Sequence, residues 1–369
     1  MKILFTGGGT GGHLMPIIAV AEQIKLLLSA TGEKHEFLFI GPESFFNEAV
    51  INFGMPVKKI RAYKLRRYWS VKTITEFINF PIGIIQSLWH VYWFMPDAVF
   101  AKGGYASFSV VFAAWVYRIP VIIHESDSVA GLANIISSKL ANKVAIAYES
   151  AGAFFSPKKI VFTGNPIRKE ILEGNKEEAG EEFSLKKNGL PVIFVIGGSQ
   201  GSQKINEILL QSVQGIIAKA QIIHQCGIEN YEEIREEIAG WSMPHLENYH
   251  VVPFLRENIR DAYAASDIIV SRAGANSISE IVSVGKPSIL IPLPTSASDH
   301  QLKNAYYFSS RGAAVMLEEE NLTPNLLYDT IFGVLENKEK QMQMIRAARA
   351  LAMPDAAKNI AEEIIKLGK

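Results

Sequence analysis

His13 closes the run Gly7-Gly8-Gly9-Thr10-Gly11-Gly12, which follows the apolar stretch Ile3-Leu4-Phe5. An imidazole in the first turn of a helix meets the positive end of the helix dipole, which disfavours its protonation and leaves it available as a base. The alternative is a structural cap. A second pair, His124-Glu125, stands just past the apolar run Val121-Ile122-Ile123. Acid and base types at the carboxyl end of a buried strand suit deprotonation of an acceptor; otherwise they form an ion pair that holds the loop. Further on, Glu280 follows Ser271-Arg272-Ala273-Gly274-Ala275-Asn276-Ser277 on a predicted helix. A carboxylate there could bridge the two hydroxyls of a ribose. Asp299-His300-Gln301 with Asn304 forms a polar cluster whose amide and imidazole groups suit a sugar ring. No His, Asp or Glu set has convincing ligand spacing, so no metal is expected.

The two glycine runs each admit more than one chemistry. Gly7-x-Gly9-x-x-Gly12 formally satisfies the dinucleotide fingerprint, in which close backbone approach and unpaired helix N–H groups hold a pyrophosphate. An NAD site also needs an acid about 20 residues further on. The strand Glu36 to Ile40 instead ends at Gly41-Pro42, with Glu43 only in the following turn. Phosphate binding without NAD is the better reading. Gly197-Gly198-Ser199-Gln200-Gly201 matches the nucleophile elbow of the α/β-hydrolases. His224, His245, His250 and His300 all follow it, so chain order leaves a hydrolase open. A hydrolase would give the first glycine run no task, and a phosphate-loop role for Ser199 is preferred.

These groups need two similar scaffolds. Apolar strand, glycine turn and amphipathic helix occur first from Ile3 through Leu28, and again from Val192 through Leu209. Later stretches echo each other too: Val99-Phe100-Ala101 leads through Gly103-Gly104 to Val121-Ile122-Ile123, and Ile268-Ile269-Val270 leads through Gly274 to Ile289-Leu290-Ile291. Gly164-Asn165-Pro166 and the charged stretch Lys169 to Lys187 separate the halves. The expected architecture is α/β: two Rossmann-like, doubly wound parallel-sheet domains facing a cleft, over residues 1–163 and 164–353. Ligands in such sheets sit beyond the carboxyl ends of the strands.

At 369 residues with 48% hydrophobic and 20% charged side chains, the chain is globular with room for two cores. Lys+Arg and Asp+Glu are both 37, so the totals demand no polyanion partner and nucleic acid is disfavoured. Cys226 stands alone, which fits a reducing compartment, and the opening MKILFTGGG reads as no signal peptide. Phe77 to Met95 lacks Asp, Glu, Lys and Arg, but Asn79, Pro81, Gln86, Ser87 and His90 would be costly in hydrocarbon. A core or interfacial helix is preferred to a span.

Read together and in order, GGGTGGH with Pro16, KGGYASFSVVFAAW, IPVIIHESDSVAGLAN, TGNPIR, VIGGSQGS, SRAGANSISEI, GKPSILIPLP and DHQLKNA resemble one family. It is the UDP-N-acetylglucosamine–N-acetylmuramyl-(pentapeptide) pyrophosphoryl-undecaprenol N-acetylglucosamine transferase family, and the likeness runs to about residue 320. The resemblance implies a GT-B fold with the acceptor on the N-terminal domain and the UDP-sugar on the C-terminal one. A last helix, about 354–369, would cross back to the first domain. The implied reaction is inverting: the C4 hydroxyl of the muramyl sugar of lipid I attacks C1 of UDP-N-acetylglucosamine, UDP leaves, and lipid II forms, with no cofactor. By similarity, His13 and Glu125 are the catalytic candidates. Thr10, Gly11, Gly12, Asp127, Arg168, Ser199, Phe254, Leu255, Ala275, Glu280, His300 and Gln301 would bind the donor. Arg168 and Ser199 would take the diphosphate, the Phe254-Leu255 backbone the uracil, and Glu280 the ribose. Gly8, Gly9, Gly103, Gly104 and Tyr105 would take the acceptor diphosphate. Lys64, Arg66, Arg67, Tyr68 and Trp69 suit anionic headgroups, implying a peripheral enzyme on the cytoplasmic face of the bacterial plasma membrane. One departure stands out: where the family usually reads HEQN, this chain has His124-Glu125-Ser126-Asp127. Alternatives are another GT-B transferase with a different acceptor, or a relative that binds a UDP-sugar without transfer.

Overall fold

Ile3, Leu4 and Phe5 form the centre of strand β1 (Lys2–Thr6), and alternation sends them to opposite faces of a sheet. Ile3 and Phe5 join one apolar cluster, and Leu4 joins another. A strand buried on both faces must be near-continuously apolar, which is why this run carries no polar alternation. The computed structural model describes the chain apart from residues 10, 45–46, 63–70 and 199, and apart from the side chains of residues 71–79. The expectations placed on Thr10, Ser199, Lys64, Arg66, Arg67, Tyr68 and Trp69 therefore lie outside the described residues.

The chain divides into two units, Met1–Arg168 with Met353–Lys369, and Lys169–Ala352. Residues 164–168, placed above with the second half, thus belong with the first. In unit 1, β1 is followed by β2 (Glu36–Gly41), β3 (Val57–Lys59), β4 (Ala98–Ala101), β5 (Val121–Glu125), β6 (Lys143–Ile146) and β7 (Ile160–Phe162). They pair in parallel in the order β3-β2-β1-β4-β5-β6-β7. The chain reverses its direction of growth between β1 and β4, so a crevice opens beyond the carboxyl ends of those two strands. The glycine run after β1 and the Lys102-Gly103-Gly104 turn after β4 are therefore placed side by side.

Two layers cover this sheet. Leu14, Ile17, Ala21 and Ile24 of the helix Gly11–Ala30 pack on the face carrying Ile3 and Phe5, together with Ile360, Ala361 and Ile364 of the last helix, Ala356–Gly368. Val110, Val111 and Ala114 of the helix Ser107–Val116 cover the face carrying Leu4. Among the described residues, Gly11–Ala30 alone is long and apolar enough to cross a membrane, and its apolar stripe is part of this core.

The charge-free stretch falls in the helix Val71–Phe94, which has two distinct faces. Ser87 and Val91 are buried, Ser87 Oγ donates to Gly83 O at 2.8 Å, and a Cβ on Gly83 would come 2.3 Å from the carbonyl oxygen of Arg61. Ile85, Trp89 and Trp93 lie on the other side and are 64%, 61% and 67% exposed. The four-residue spacing of each set makes it a stripe.

Unit 2 repeats the plan with β8 (Val192–Ile196), β9 (Gln221–Gln225), β10 (Tyr249–Val252), β11 (Ile268–Arg272), β12 (Ser288–Ile291) and β13 (Val315–Met316). Their parallel order is β10-β9-β8-β11-β12-β13, with the reversal between β8 and β11. Ile193 and Val195 pack on Ile205, Ile208 and Leu209 of the helix Gln203–Ile217. The crevice of this unit is thus bounded by the glycine loop after β8 and by Ala273-Gly274 after β11.

Candidate active site

In unit 1 the first glycine loop meets the turn after β4. Gly8 N donates to Gly103 O at 3.1 Å. Gly104 has φ +83, and a Cβ there would lie 3.2 Å from both Cα and N of Gly8, so only glycine suits this crossing. The ring of His13 covers the junction: a Cβ on Gly8 would come 2.6 Å from its Cδ2, and one on Gly104 would come 3.4 Å from its Nε2. His13 Nδ1 is sealed from solvent. Burial first, and the Lys102 charge second, lower the imidazole pKa to about 4, against an opposing pull from Asp127. At neutral pH it is therefore an uncharged imidazole.

Lys102 directly follows β4 and is 1% exposed. Its Nζ lies 2.9 Å from His124 Nδ1 and donates to Asn165 Oδ1 at 3.3 Å. His124 Nε2 is 2.9 Å from the carbonyl oxygen of Gly164, which can only accept, so Nε2 carries the proton and Nδ1 receives the ammonium hydrogen. His124 and Glu125 make no ion pair with each other. Glu125 Oε1 accepts from Asp127 N at 3.1 Å, and Oε2 accepts from Gly131 N and from Asn134 Nδ2, both at 2.9 Å. The carboxylate thus pins the loop that follows β5. Burial, then the Asp127 charge, raises its pKa, while those hydrogen bonds pull the other way.

In unit 2, Gly201 has φ +77, and a Cβ there would sit 2.0 Å from the carbonyl oxygen of Cys226. Glycine lets the loop pass against β9 and turn into the helix Gln203–Ile217, whose N-cap Ser202 accepts from Ile205 N. Arg272, at the end of β11, donates from Nη2 to Ser202 Oγ at 2.6 Å and pairs with Glu319. Gln225 ties the loop to the segment after β10: its Nε2 donates to Gly198 O at 3.1 Å, and its Oε1 accepts from Leu255 N at 3.0 Å. The loop, Lys204, Arg272, Gly274, Ser277, Leu293, Gln301 and Glu319 line a concavity of about 610 Å³. Its position at a helix N-terminus, beside a lysine, suits an anionic group, and its size suits a small molecule.

The glycosyltransferase family 28 N-terminal domain matches residues 3–146, and the family 28 C-terminal domain matches residues 192–360. A UDP-N-acetylglucosamine–N-acetylmuramyl-(pentapeptide) pyrophosphoryl-undecaprenol N-acetylglucosamine transferase of Halalkalibacterium halodurans is 36% identical over 362 residues, 98% of each chain. The chain belongs to this glycosyltransferase family. MurG of Acinetobacter baumannii, 28% identical, aligns with a TM-score of 0.75 over 99% of both chains. A UDP-GlcNAc 2-epimerase of Neisseria meningitidis bound to UDP-GlcNAc covers 99% of this chain and 100% of its own at TM-score 0.71; at 15% identity it shows the fold alone. That fold is GT-B, with its two parallel-sheet α/β domains.

Within unit 1 of this glycosyltransferase, His13, Gly8, Gly103, Gly104, Glu125 and Asp127 are gathered around Lys102. Gly11 and Gly12 form the first turn of the helix that carries His13. Tyr105 is exposed beside them, while Gly9 faces Pro42 and Ser44 instead. Arg168 falls in unit 1, half-buried, with no acceptor for Nε among the described residues. In unit 2, Gln301 shares the concavity with the glycine loop, and its Oε1 accepts from Leu293 N at 3.1 Å. His300, half-buried, opens the helix His300–Ser309 after Ser298 and Asp299, both at φ 55. Phe254 is half-buried and Leu255 buried, with the amide of Leu255 taken by Gln225. Ala275 is buried at the start of the helix Ala275–Val284, and Glu280, further along it, accepts from Tyr263 Oη at 3.0 Å. Of the hydrolase reading's histidines, His224 is buried with both nitrogens occupied, by Tyr249 Oη at 2.6 Å and Asn206 Oδ1 at 3.0 Å.

Sequence reasoning missed Lys102, Gln225 and Arg272. Lys102 left one signal, a charged residue between an apolar strand and Gly103-Gly104. Arg272 left another, a cation at the end of an apolar strand before Ala273-Gly274.

Proposed function

We propose that this chain transfers N-acetylglucosamine from UDP-N-acetylglucosamine to the C4 hydroxyl of the muramyl sugar of lipid I, with inversion at C1, forming lipid II. Likeness to a transferase of that name over 98% of both chains carries the assignment. The site geometry fits it. A neutral His13, placed where two glycine turns cross, accepts the proton of the attacking hydroxyl. Gly8, Gly103, Gly104 and Tyr105 receive the acceptor diphosphate, where glycine permits close approach to backbone N–H groups. Glu125, buried and hydrogen-bonded to its own loop, acts by holding the segment that bears Asp127.

On unit 2, the glycine loop and helix N-terminus take the UDP diphosphate as leaving-group charge develops, with Ser199 as a further donor. Glu280 binds ribose, Phe254 and Leu255 border the uracil through the carbonyl side of their backbone, and His300 and Gln301 meet the sugar hydroxyls. Gly11, Gly12, Thr10, Asp127 and Ala275 complete the donor contacts. The exposed stripe Ile85-Trp89-Trp93, with the basic and aromatic residues Lys64, Arg66, Arg67, Tyr68 and Trp69, supports peripheral docking on the anionic cytoplasmic leaflet.

The test is UDP release from UDP-N-acetylglucosamine with and without a soluble lipid I analogue. Wild type is expected to release UDP only with acceptor, and His13→Asn to lose about 10²–10⁴-fold in kcat while still binding UDP-N-acetylglucosamine. Donor binding without acceptor-dependent release would defeat the transferase assignment.

A further inference from the structure

Gln225 ends β9 and is 1% exposed, an amide enclosed at the carboxyl end of the second sheet. Its place in the ladder lies between two other strand ends. It stands opposite Ile196, the last residue of β8, and Val252, the last residue of β10. Both strands run parallel to β9, so both chains leave the sheet beside Gln225. β8 continues into Gly197-Gly198, and β10 into Pro253-Phe254-Leu255. A buried amide must find partners for its donor and its acceptor, and this one finds one in each departing segment. Nε2 donates to Gly198 O at 3.1 Å, and Oε1 accepts from Leu255 N at 3.0 Å.

The backbone on each side is thereby turned in a definite way. Gly198 O also accepts from Gly201 N at 3.1 Å, so both its lone pairs are engaged. Gly198 has φ +91, a conformation that glycine adopts without cost, and its carbonyl is free to point inward. A peptide oxygen facing the concavity would repel a diphosphate; one held by a buried amide does not. On the other side the Leu255 N–H is turned into the protein, which leaves the carbonyl side of that backbone for a nucleobase. The next residue braces the far end of the glycine loop. The carbonyl oxygen of Cys226, against which Gly201 passes, accepts from Asn206 Nδ2 at 3.0 Å and Asn230 Nδ2 at 2.9 Å.

We propose that Gln225 is a positioning residue for the donor: one buried amide turns the Gly198 carbonyl away from the diphosphate and the Leu255 N–H away from the base. The phosphate end and the base end of the UDP-sugar site are then set by the same side chain. The role rests on the reading of function given above, which places the diphosphate at the glycine loop and the uracil at Phe254-Leu255. Gln225 touches no substrate in this scheme; it acts through the two segments it joins.

The experiment compares wild type with Gln225→Met, which keeps the length and removes both hydrogen bonds, and with Gln225→Glu. A neutral carboxylic acid donates from one oxygen and accepts at the other, as the amide does, whereas a carboxylate only accepts. UDP dissociation constants are measured by calorimetry between about pH 5.5 and 8.5, each divided by the wild-type value at the same pH. Acceptor-dependent kcat and the KM of both substrates are measured alongside. Gln225→Met is expected to weaken UDP binding and raise donor KM about tenfold or more at every pH, with kcat and acceptor KM within about threefold. Gln225→Glu is expected to bind UDP within about threefold of wild type at the acid end and about tenfold or more weaker at the alkaline end. Burial raises a carboxyl pKa, and ionisation removes the donor to Gly198. A general loss of structure would instead lower kcat through the active fraction and leave KM alone. Unchanged donor KM in Gln225→Met, or a Gln225→Glu ratio that does not vary with pH, overturns the proposal. If neither variant folds, amide exchange in wild type decides: the Leu255 N–H must be protected before UDP is added, and exchange at the rate of an open loop overturns it. UDP binding without acceptor-dependent transfer in wild type defeats the functional reading and leaves the Gln225 comparison standing, whereas no UDP binding defeats both.

Discussion

Tyr263 is fully buried, its ring meets Phe194 edge-on at 5.3 Å and 82°, and its hydroxyl reaches Glu280 at 3.0 Å. A flexible carboxylate on the helix Ala275–Val284 is thereby oriented by a group with almost no freedom of its own. If Glu280 binds ribose, the phenol sets how well it is aimed. Tyr263→Phe keeps the packing and removes one hydrogen bond worth about 1 kcal/mol, so donor KM should rise up to about fivefold with kcat nearly unchanged and the thermal midpoint lowered by about 2–4 °C. Steady-state kinetics with varied UDP-N-acetylglucosamine checks this. Glu280 was legible in the sequence because it follows a glycine turn at a strand end. Tyr263 was not, because nothing local links it to a side chain on the next helix. Lys102 shows the same limit more sharply: its partner Asn165 is far along the chain, and burial of a lysine is a property of packing, not of spacing.

Elements were easier to read where their logic is local. Strand, glycine turn and helix are contiguous, so both phosphate-type loops were visible at once, whereas the pairing of β1 with β4 joins Ile3 to Ala98 and has no local sign. The helix Val71–Phe94 was harder, because hydropathy sums over all sides of a helix. Val91, which packs inward, and Trp93, which does not, count alike in such a sum. Separated into faces, the same segment is an amphipathic helix on a sheet, and its outer aromatic stripe is available to an interface. Trp89→Glu with Trp93→Glu should reduce co-sedimentation with anionic phospholipid vesicles at least about tenfold, since each change removes apolar burial and adds repulsion. Turnover of a soluble acceptor should survive. Loss of soluble turnover together with vesicle binding would instead indicate damage to the fold.

The molecule as a whole carries several histidines whose pKa is lowered first by burial, complete for His124 and His224 and partial for His13, His90 and His250. His13 is lowered to about 4 and His224 to about 3, His124 lies well below the usual value, and His90 and His250 are lowered as well, burial being the first cause in each. The unfolded chain, with histidine near 6.5, binds more protons than the folded one between about pH 6.5 and 4. Stability contributed by these groups is therefore complete above about pH 6.5 and is lost as pH falls through that window. Urea midpoints should drop steadily from pH 7 to pH 4.5, and a flat midpoint would mean that these imidazoles are not shielded in solution.

The last helix, Ala356–Gly368, supplies Ile360, Ala361 and Ile364 to the core of unit 1, while unit 2 is one unbroken segment. For a nascent chain this ordering matters. When Arg168 leaves the ribosome, unit 1 lacks a helix that will not exist until unit 2 has been synthesised, roughly ten to forty seconds later at about 5–20 residues per second. During that interval the sheet face bearing Ile3 and Phe5 is only partly covered, and unit 2 can reach its own final form first. The earlier half of the polypeptide is thus the later half to be finished.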